Sequence, residues 1–499
     1  MNFKLLHLIF FLLAYLPLNG QVYYKENGEP WIKKATGPDQ DVPGWFYNLG
    51  ITGIRAKLMA DKPKFLEVKY TFKKSPSYRK ILIGDVIIGA GGKLFINEHK
   101  NGIGMDKFGA DGPIEEFAEA LALAQTSKGR GRLELIILRN SKELKVSLNV
   151  GRKYGDYSST FPFQCPKSDK IVKELLDYLI DNQSPNGSFG TPQDNLYAPL
   201  ALMASGSSKY RKAIKRNVYL QASATTSSGD KEWLVNWKYM TAAIVLSEYY
   251  LRYKDRKILK ELQEIYDFLY TTQYTDMSQI DKKDPLGTPS RPNPESPDEK
   301  HGGWGHNPGY EGYGPISILT GAGALGLTLM SRCGIKIDET RHKKAYDFLE
   351  RGTGKNGYTW YADKKGADDA YAGMGRTGVS AIAHWLSPYG EKHQEYALLQ
   401  SKLIGNYPKS FPDTHASPLL GMGYAALGAN IDKKNFLSLM HANKYWFTLA
   451  QCHDGTFCYQ PNRESQTYAG NWRVAASAVT AFILLIKEKS LVITGKNYR

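Results

Sequence analysis

The chain has 499 residues, with 65 Lys and Arg against 49 Asp and Glu and a formal net charge of +16. At roughly 150 residues per domain this length excludes one small domain and leaves room for two to four with real cores. Four cysteines exclude a disulfide scaffold. The basic balance favours anionic partners, but the lysines are scattered rather than clustered, so no nucleic-acid interface is expected.

The first element is Met-Asn-Phe-Lys followed by an apolar run at 5–18, which reads as a secretory signal peptide over 1–20. The run falls short of the roughly 20 apolar residues that a membrane span needs, and no later stretch meets that length. The expectation is a secreted or periplasmic protein with no integral membrane segment after cleavage. A polar lead-in over 21–42 carries no apolar period.

From 44 to 151 the pattern is that of a small α+β domain. Residues 65–72 alternate as a strand, and 81–89 form an apolar strand interrupted by Gly84-Asp85. Residues 113–125 place Ile114, Phe117, Ala118, Leu121 and Ala122 at the spacing of an amphipathic helix, with Pro113 suited to its first turn. Residues 133–138 and 144–150 make a hairpin around Asn140-Ser141. Four motifs in order, Tyr47-Asn48-Leu49-Gly50-Ile51, Lys74-Ser75-Pro76-Ser77, Ile83-Gly84-Asp85-Val86-Ile87 and Gly91-Gly92-Lys93, resemble a PDZ domain of the bacterial protease-associated kind. Lys74 replaces the usual glycine before Ser-Pro, and 97–112 is longer than usual. The resemblance implies a groove for a protein C-terminal peptide, built by strand addition and a backbone nest. Asn48, Leu49, Gly50 and Ile51 would hold the carboxylate, with Phe117 and Leu121 lining the pocket.

Residues 154–166 read as a linker, and the chain beyond is helical, with Ser168 expected as the first N-cap. Gly-aromatic turns recur near 187, 233, 303, 357, 412 and 455 between apolar helices, the signature of a helical-hairpin array. Six hairpins can close into a ring or run as an open superhelix. Asn186-Gly187-Ser188-Phe189-Gly190 and Asp454-Gly455-Thr456-Phe457 resemble the QW-type turns of the squalene-cyclase and prenyltransferase repeat superfamily. The ordered pair, together with Gly302-Gly303-Trp304-Gly305-His306, Gly375-Arg376-Thr377-Gly378 and Tyr459-Gln460-Pro461-Asn462-Arg463, is similar to a bacterial secreted family of unassigned function. The fold expected is therefore multidomain: a PDZ-like α+β domain, then an all-α toroid of the (α/α)6 type over 165–490.

Chemistry is less sharply specified. The cyclase resemblance would imply an Asp-x-Asp-Asp acid, but Gly366-Ala367-Asp368-Asp369 lacks the first aspartate. The prenyltransferase resemblance would imply zinc, but no recognised spacing joins Cys333 to His342. No metal and no cofactor are expected. A glycan lyase would use His, Tyr or Arg for proton transfer and charge, and the turn positions offer His301, His306, Tyr310, Tyr313, Arg376, His415, His453, Arg463 and Tyr468. A glycosidase needs two carboxylates across the bond, for which Glu311, Asp368, Asp369 and Asp454 are candidates. Against these stand structural roles. Trp304, Phe189 and Phe457 suit wedges between hairpins, Asp368-Asp369 suit a helix cap, His384 and Trp385 suit the core, and Cys452 and Cys458 suit a disulfide across a turn. The leading expectation is a protein that binds a protein C-terminus and an extended, anionic glycan. The alternatives are a polysaccharide lyase or glycoside hydrolase, and a non-catalytic assembly scaffold.

Overall fold

The computed structural model describes residues 47–59, 61–99, 111–229, 234–280, 294–310, 314–371, 373–412, 414, 418–459 and 472–497. The apolar run at 5–18 and the site candidates Glu311, Tyr313, His415, Arg463 and Tyr468 lie outside these. No helix among the described residues is long and apolar enough to cross a membrane.

The N-terminal unit is an antiparallel sheet of seven strands: β1 (Tyr47–Asn48), β2 (Ile54–Met59), β3 (Lys62–Thr71), β4 (Val86–Ala90), β5 (Lys93–Leu94), β6 (Arg132–Arg139) and β7 (Lys142–Asn149). Their order is β1-β2-β3-β4-β6-β7, with β5 paired to β4. Helix α1 (Pro113–Gln125) covers one face and buries Ile114, Phe117, Ala118 and Leu121, as its apolar spacing predicts. The β6–β7 hairpin turns at Asn140 and Ser141, both with positive φ, which suits the twist of a two-residue turn.

The helical unit runs as α2 (Pro166–Asp181), α3 (Pro192–Ala204), α4 (Arg211–Ser223), α5 (Val235–Tyr253), α6 (Ile258–Thr272), α7 (Ser317–Arg332) and α8 (Glu339–Arg351). It continues as α9 (Met374–Leu386), α10 (Glu391–Asn406), α11 (Pro418–Ala429), α12 (Lys433–Ala442), α13 (Lys444–Ala450) and α14 (Trp472–Leu485). Helix α2 starts before Ser168, at Pro166. The Ser168 hydroxyl donates back to the Cys165 carbonyl at 2.9 Å instead of capping.

Helices α3, α5, α7, α9, α11 and α14 each pack on the next, and α14 packs back on α3. The hairpins therefore close into a ring. Ring closure demands close backbone approach, and the inner helices supply it with small residues. A Cβ at Gly378 on α9 would lie 2.2 Å from the Tyr424 carbonyl oxygen on α11. The axis is filled by side chains. Tyr197 of α3 donates to the Leu420 carbonyl at 2.8 Å, and its ring lies 5.5 Å from Phe482 of α14.

Two of the joints between adjacent hairpins share one device. Gln183, just past α2, donates to the Gly187 carbonyl and to that of Ala213 in the first turn of α4, each at 2.9 Å. Gln273, just past α6, does the same at 2.6 Å to Gly302 and 2.9 Å to Arg341 in the first turn of α8. Gly187 and Gly302 have φ of 101° and 93° and seat on the next outer helix, where a Cβ would come within 2.6 Å of the Arg216 oxygen or 2.2 Å of that of Lys344. Only glycine meets both conditions. The aromatic residues that follow are wedges: Phe189, Trp304 and Phe457 are buried in the core. Their backbone N–H groups donate to Asn195, Thr320 and Ser477 in the inner helices they precede.

Two further contacts tie the molecule together. The Glu248 carboxylate, buried on α5, accepts from the backbone of Val492 and Ile493 at 3.0 and 2.8 Å. Burial pushes its pKa up to about 7, against the lowering effect of those two amides. Helix α13 leaves the ring to meet the sheet: Leu449 is fully buried and joins the core of the N-terminal unit.

Candidate functional site

Each inner helix is entered from an outer one, so all six run the same way and present their N-termini at one end of the ring. Aligned peptide dipoles make that end electropositive. The described parts of the connections that enter it include 182–191, 224–229, 273–280, 294–310, 314–316, 352–371, 407–412 and 451–459. Every described toroid candidate from the sequence lies in these loops or in the first turn of an inner helix. We call this end the mouth.

His306 stands beside α5. Its Nδ1 accepts from Trp237 Nε1 at 2.9 Å, and the two half-buried rings lie edge to edge, 26° from coplanar. The backbone N–H of Asn236 donates to the His306 carbonyl, which fixes the pair against the helix end. His301 lies further out, with Nε2 3.5 Å from Lys344 Nζ and its carbonyl accepting from Arg351. Burial, then Lys344, holds its pKa below the usual histidine value. Tyr310 is buried, accepts from Lys300 Nζ at 2.7 Å, and has its pKa pushed up to about 12 by burial.

The structure assigns other work to several candidates. Arg376 is 7% exposed, with Nη2 donating to Tyr358 Oη at 2.6 Å and Nε to the Thr359 carbonyl at 3.3 Å. Its guanidinium clamps the turn that precedes α9 instead of facing solvent. Asp368 accepts from the Lys355 backbone at 3.0 Å, and the N-cap of α9 is Gly373, so the aspartate pair does not cap that helix. Asp369 is exposed on the same loop. His453 stacks on Phe72 of the N-terminal unit at 5.2 Å, away from His306. Asp454 is paired with Arg473 at 3.1 Å. Trp385, expected in the core, is 37% exposed, whereas His384 is fully buried. No disulfide joins the cysteines. The backbone N–H of Cys452 donates to the Thr456 carbonyl and that of Cys458 to the Ala450 carbonyl, which sets the two cysteines at diagonal positions across the turn.

The surface that the PDZ resemblance reserves for a peptide carboxylate is covered. Asn48, Leu49, Gly50, Ile51, Phe117 and Leu121 are all buried. Helix α13 lies across them, and a Cβ on Gly50 would meet Leu121 at 2.5 Å and the Thr448 carbonyl at 2.8 Å. Asn48 Nδ2 donates to the Ala450 carbonyl at 3.2 Å, so the loop's polar group is already spent on the toroid. Beside this contact a cleft of about 540 Å³ opens between α1 and α12–α13. Lys167 lines it almost fully buried, 4.3 Å over the Tyr157 ring, with its pKa lowered to about 8 by burial.

Two mouth residues escape sequence reasoning. Asp194, in the first turn of α3, forms a capping box with Thr191 through Oδ2. Its pKa is raised to about 6 by burial, with the Thr191 hydrogen bonds pulling the other way. Its Oδ1, together with Asn236 Oδ1 on α5 and Ser317 Oγ on α7, has no hydrogen-bond partner among the described residues. Buried polar atoms of this kind take partners from water or ligand. The Thr191-x-x-Asp194 spacing was the readable signal for the cap. Trp237 was visible as part of a turn, but its pairing with His306 spans 69 positions.

Residues 168–495 match a domain of unknown function, DUF6288, and the chain belongs to that family. No curated protein sequence matches the chain. Among solved structures, an inactive α-1,6-mannanase of family GH76 from Salegentibacter sp., bound to α-1,6-mannotriose, is 12% identical over 65% of this chain and 99% of that one, with a TM-score of 0.44. A GH76 α-mannanase from Bacteroides thetaiotaomicron is 10% identical over 64% and 94%, also at 0.44. A type II terpene cyclase from Scytonema is 11% identical over 65% and 99%, at 0.39. At such identities and TM-scores these bear on neither substrate nor mechanism.

Proposed function

For this member of the DUF6288 family, we propose that the toroid mouth binds an extended, anionic glycan. The observation that carries this reading is the hydrogen-bonded, side-by-side Trp237–His306 pair at an end where six helix N-termini converge. A half-buried aromatic pair offers a face to a sugar ring, and the converging dipoles favour its carboxylate or sulfate. The positive surroundings of His301, where Lys344 and Arg351 act together against Asp298, extend that preference along the rim. Because Tyr197 fills the axis, the glycan lies across the mouth and does not thread the ring. In this reading the N-terminal unit braces the toroid through Leu449, and a peptide would enter its groove only after α13 withdraws.

Calorimetric titration with uronate or sulfated oligosaccharides and with neutral ones of equal length tests the proposal. Acidic chains should bind, and neutral chains should bind at least about tenfold more weakly. Equal affinity for both would sink it.

Asp194 favours a second reading, hydrolysis or elimination at the same mouth. A carboxyl with a pKa near 6 stays partly protonated close to neutral pH, as a general acid requires. Reducing-end release from bound oligosaccharide, lost in Asp194→Asn, separates catalysis from binding.

A further inference from the structure

We propose that Glu350, His384 and His393 form a binding site for a divalent transition-metal ion of the zinc class. The three residues come from three helices, α8, α9 and α10, and each offers a ligand atom within 4.8 Å of the other two. His384 Nδ1 and His393 Nδ1 are 3.1 Å apart. Two imidazole nitrogens held about 2.05 Å from one tetrahedral ion stand roughly 3.3 Å apart, so little movement is needed to place an ion between them. Two histidines and one glutamate are a recognised donor set for zinc, with water completing the fourth position.

The surroundings keep these donors ready. His384 is fully buried, with Tyr396 stacked at 15° on its ring. Its Nε2 has no hydrogen-bond partner among the described residues, so nothing on that side fixes the tautomer. Burial lowers its pKa to about 3 and that of His393 below the usual value, and a metal ligand must be neutral imidazole. His342, close by, is excluded: Nδ1 is bonded to Tyr389 Oη at 2.8 Å and Nε2 to the Ala324 carbonyl at 3.0 Å. The competing cation is Lys392, whose Nζ lies 2.7 Å from Glu350 Oε2. Its side chain is 67% exposed, so it can swing into water when an ion arrives. The two histidines lie toward the end of the ring away from the mouth, and the site is independent of the glycan reading.

The test uses the full-length protein, free of affinity tags and dialysed against chelator. Titration with Co(II), followed by its visible d–d absorption, and competition with Zn(II) should show about one equivalent bound. His393→Gln should weaken binding roughly 100-fold and Glu350→Gln roughly tenfold, each with an unchanged circular dichroism spectrum. Lys392→Met should tighten binding by removing the competitor. If His384→Ala fails to fold, the His393, Glu350 and Lys392 variants still decide the matter. No uptake by the wild-type chain, or equal uptake by wild type and His393→Gln, overturns the site and leaves a buried histidine–histidine hydrogen bond.

Discussion

At the end of the ring away from the mouth, the connections span only 205–210, 254–257, 333–338, 387–390 and 430–432, whereas at the mouth the connection into α7 is described over 273–280, 294–310 and 314–316. At the far end Glu248 accepts from the backbone of Val492 and Ile493, while His384 Nε2 has no partner among the described residues. The mouth spends some of its polar groups in the same way, as with Arg376, but leaves others available, as with Asp194 Oδ1, Asn236 Oδ1 and Ser317 Oγ. One repeat thus makes a stiff base and a variable rim. The lesson is that a polar residue in a mouth loop is a ligand candidate only after its own loop has been served.

The comparison breaks most completely where both ends depend on the inner wall. Gly378→Ala should cost about 3 kcal/mol, because a Cβ 2.2 Å from the Tyr424 carbonyl meets backbone that cannot yield. Denaturant unfolding would show it, and loss at both ends together would mark the ring as one cooperative unit.

The next test concerns Asp194. Folding raises its pKa from 3.8 to about 6, so the folded state favours the protonated form. Its contribution is full below about pH 4 and is lost as pH rises through 6, a change of about 3 kcal/mol. Asp194→Asn should flatten that slope in melting temperature between pH 4 and pH 6.5. An unaltered slope would mean that the carboxyl is solvated in the mouth.

Arg376→Ala should cost about 2 kcal/mol by stranding Tyr358 Oη and the Thr359 carbonyl. The melting temperature should fall while affinity for acidic oligosaccharides at lower temperature stays within about twofold. The reverse pattern would return Arg376 to the list of ligand-contacting groups. Trp237→Ala should do the opposite, weakening oligosaccharide binding about tenfold, or ~1.4 kcal/mol, with about 1 kcal/mol lost in stability.

Much of this architecture was legible in the chain. Residues 113–125 and the β6–β7 hairpin follow directly from apolar spacing and turn chemistry, and the glycine–aromatic turns mark the places where hairpins meet. The joint glutamines were not legible, since Gln183 and Gln273 bond to carbonyls 30 and 68 positions away. Nor was the fate of the groove. Residues 445–450, Tyr-Trp-Phe-Thr-Leu-Ala, are apolar on every face, so periodicity could not say that Leu449 would enter the core of another unit. Candidate site residues were named for their chemistry, and chemistry alone does not separate His306, hydrogen-bonded to Trp237 at the mouth, from His453, stacked on Phe72. Distances across hundreds of residues decide that.

The 26 residues from 472 to 497 carry a consequence for how the molecule comes into being. Helix α14 fills the gap between α11 and α3, and the segment after it reaches back to Glu248 and to the Ala204 carbonyl through Ser490. In synthesis those residues follow the five other inner helices. Until then the chain holds five inner helices around an open seam, with apolar flanks of α3 and α11 uncovered and the Glu248 carboxylate lacking its two amides. Pairings of such sequence separation close slowly, and exposed flanks associate with other chains. Folding of this ring is therefore an event of completion, and α14 is the element that covers the flanks of α3 and α11.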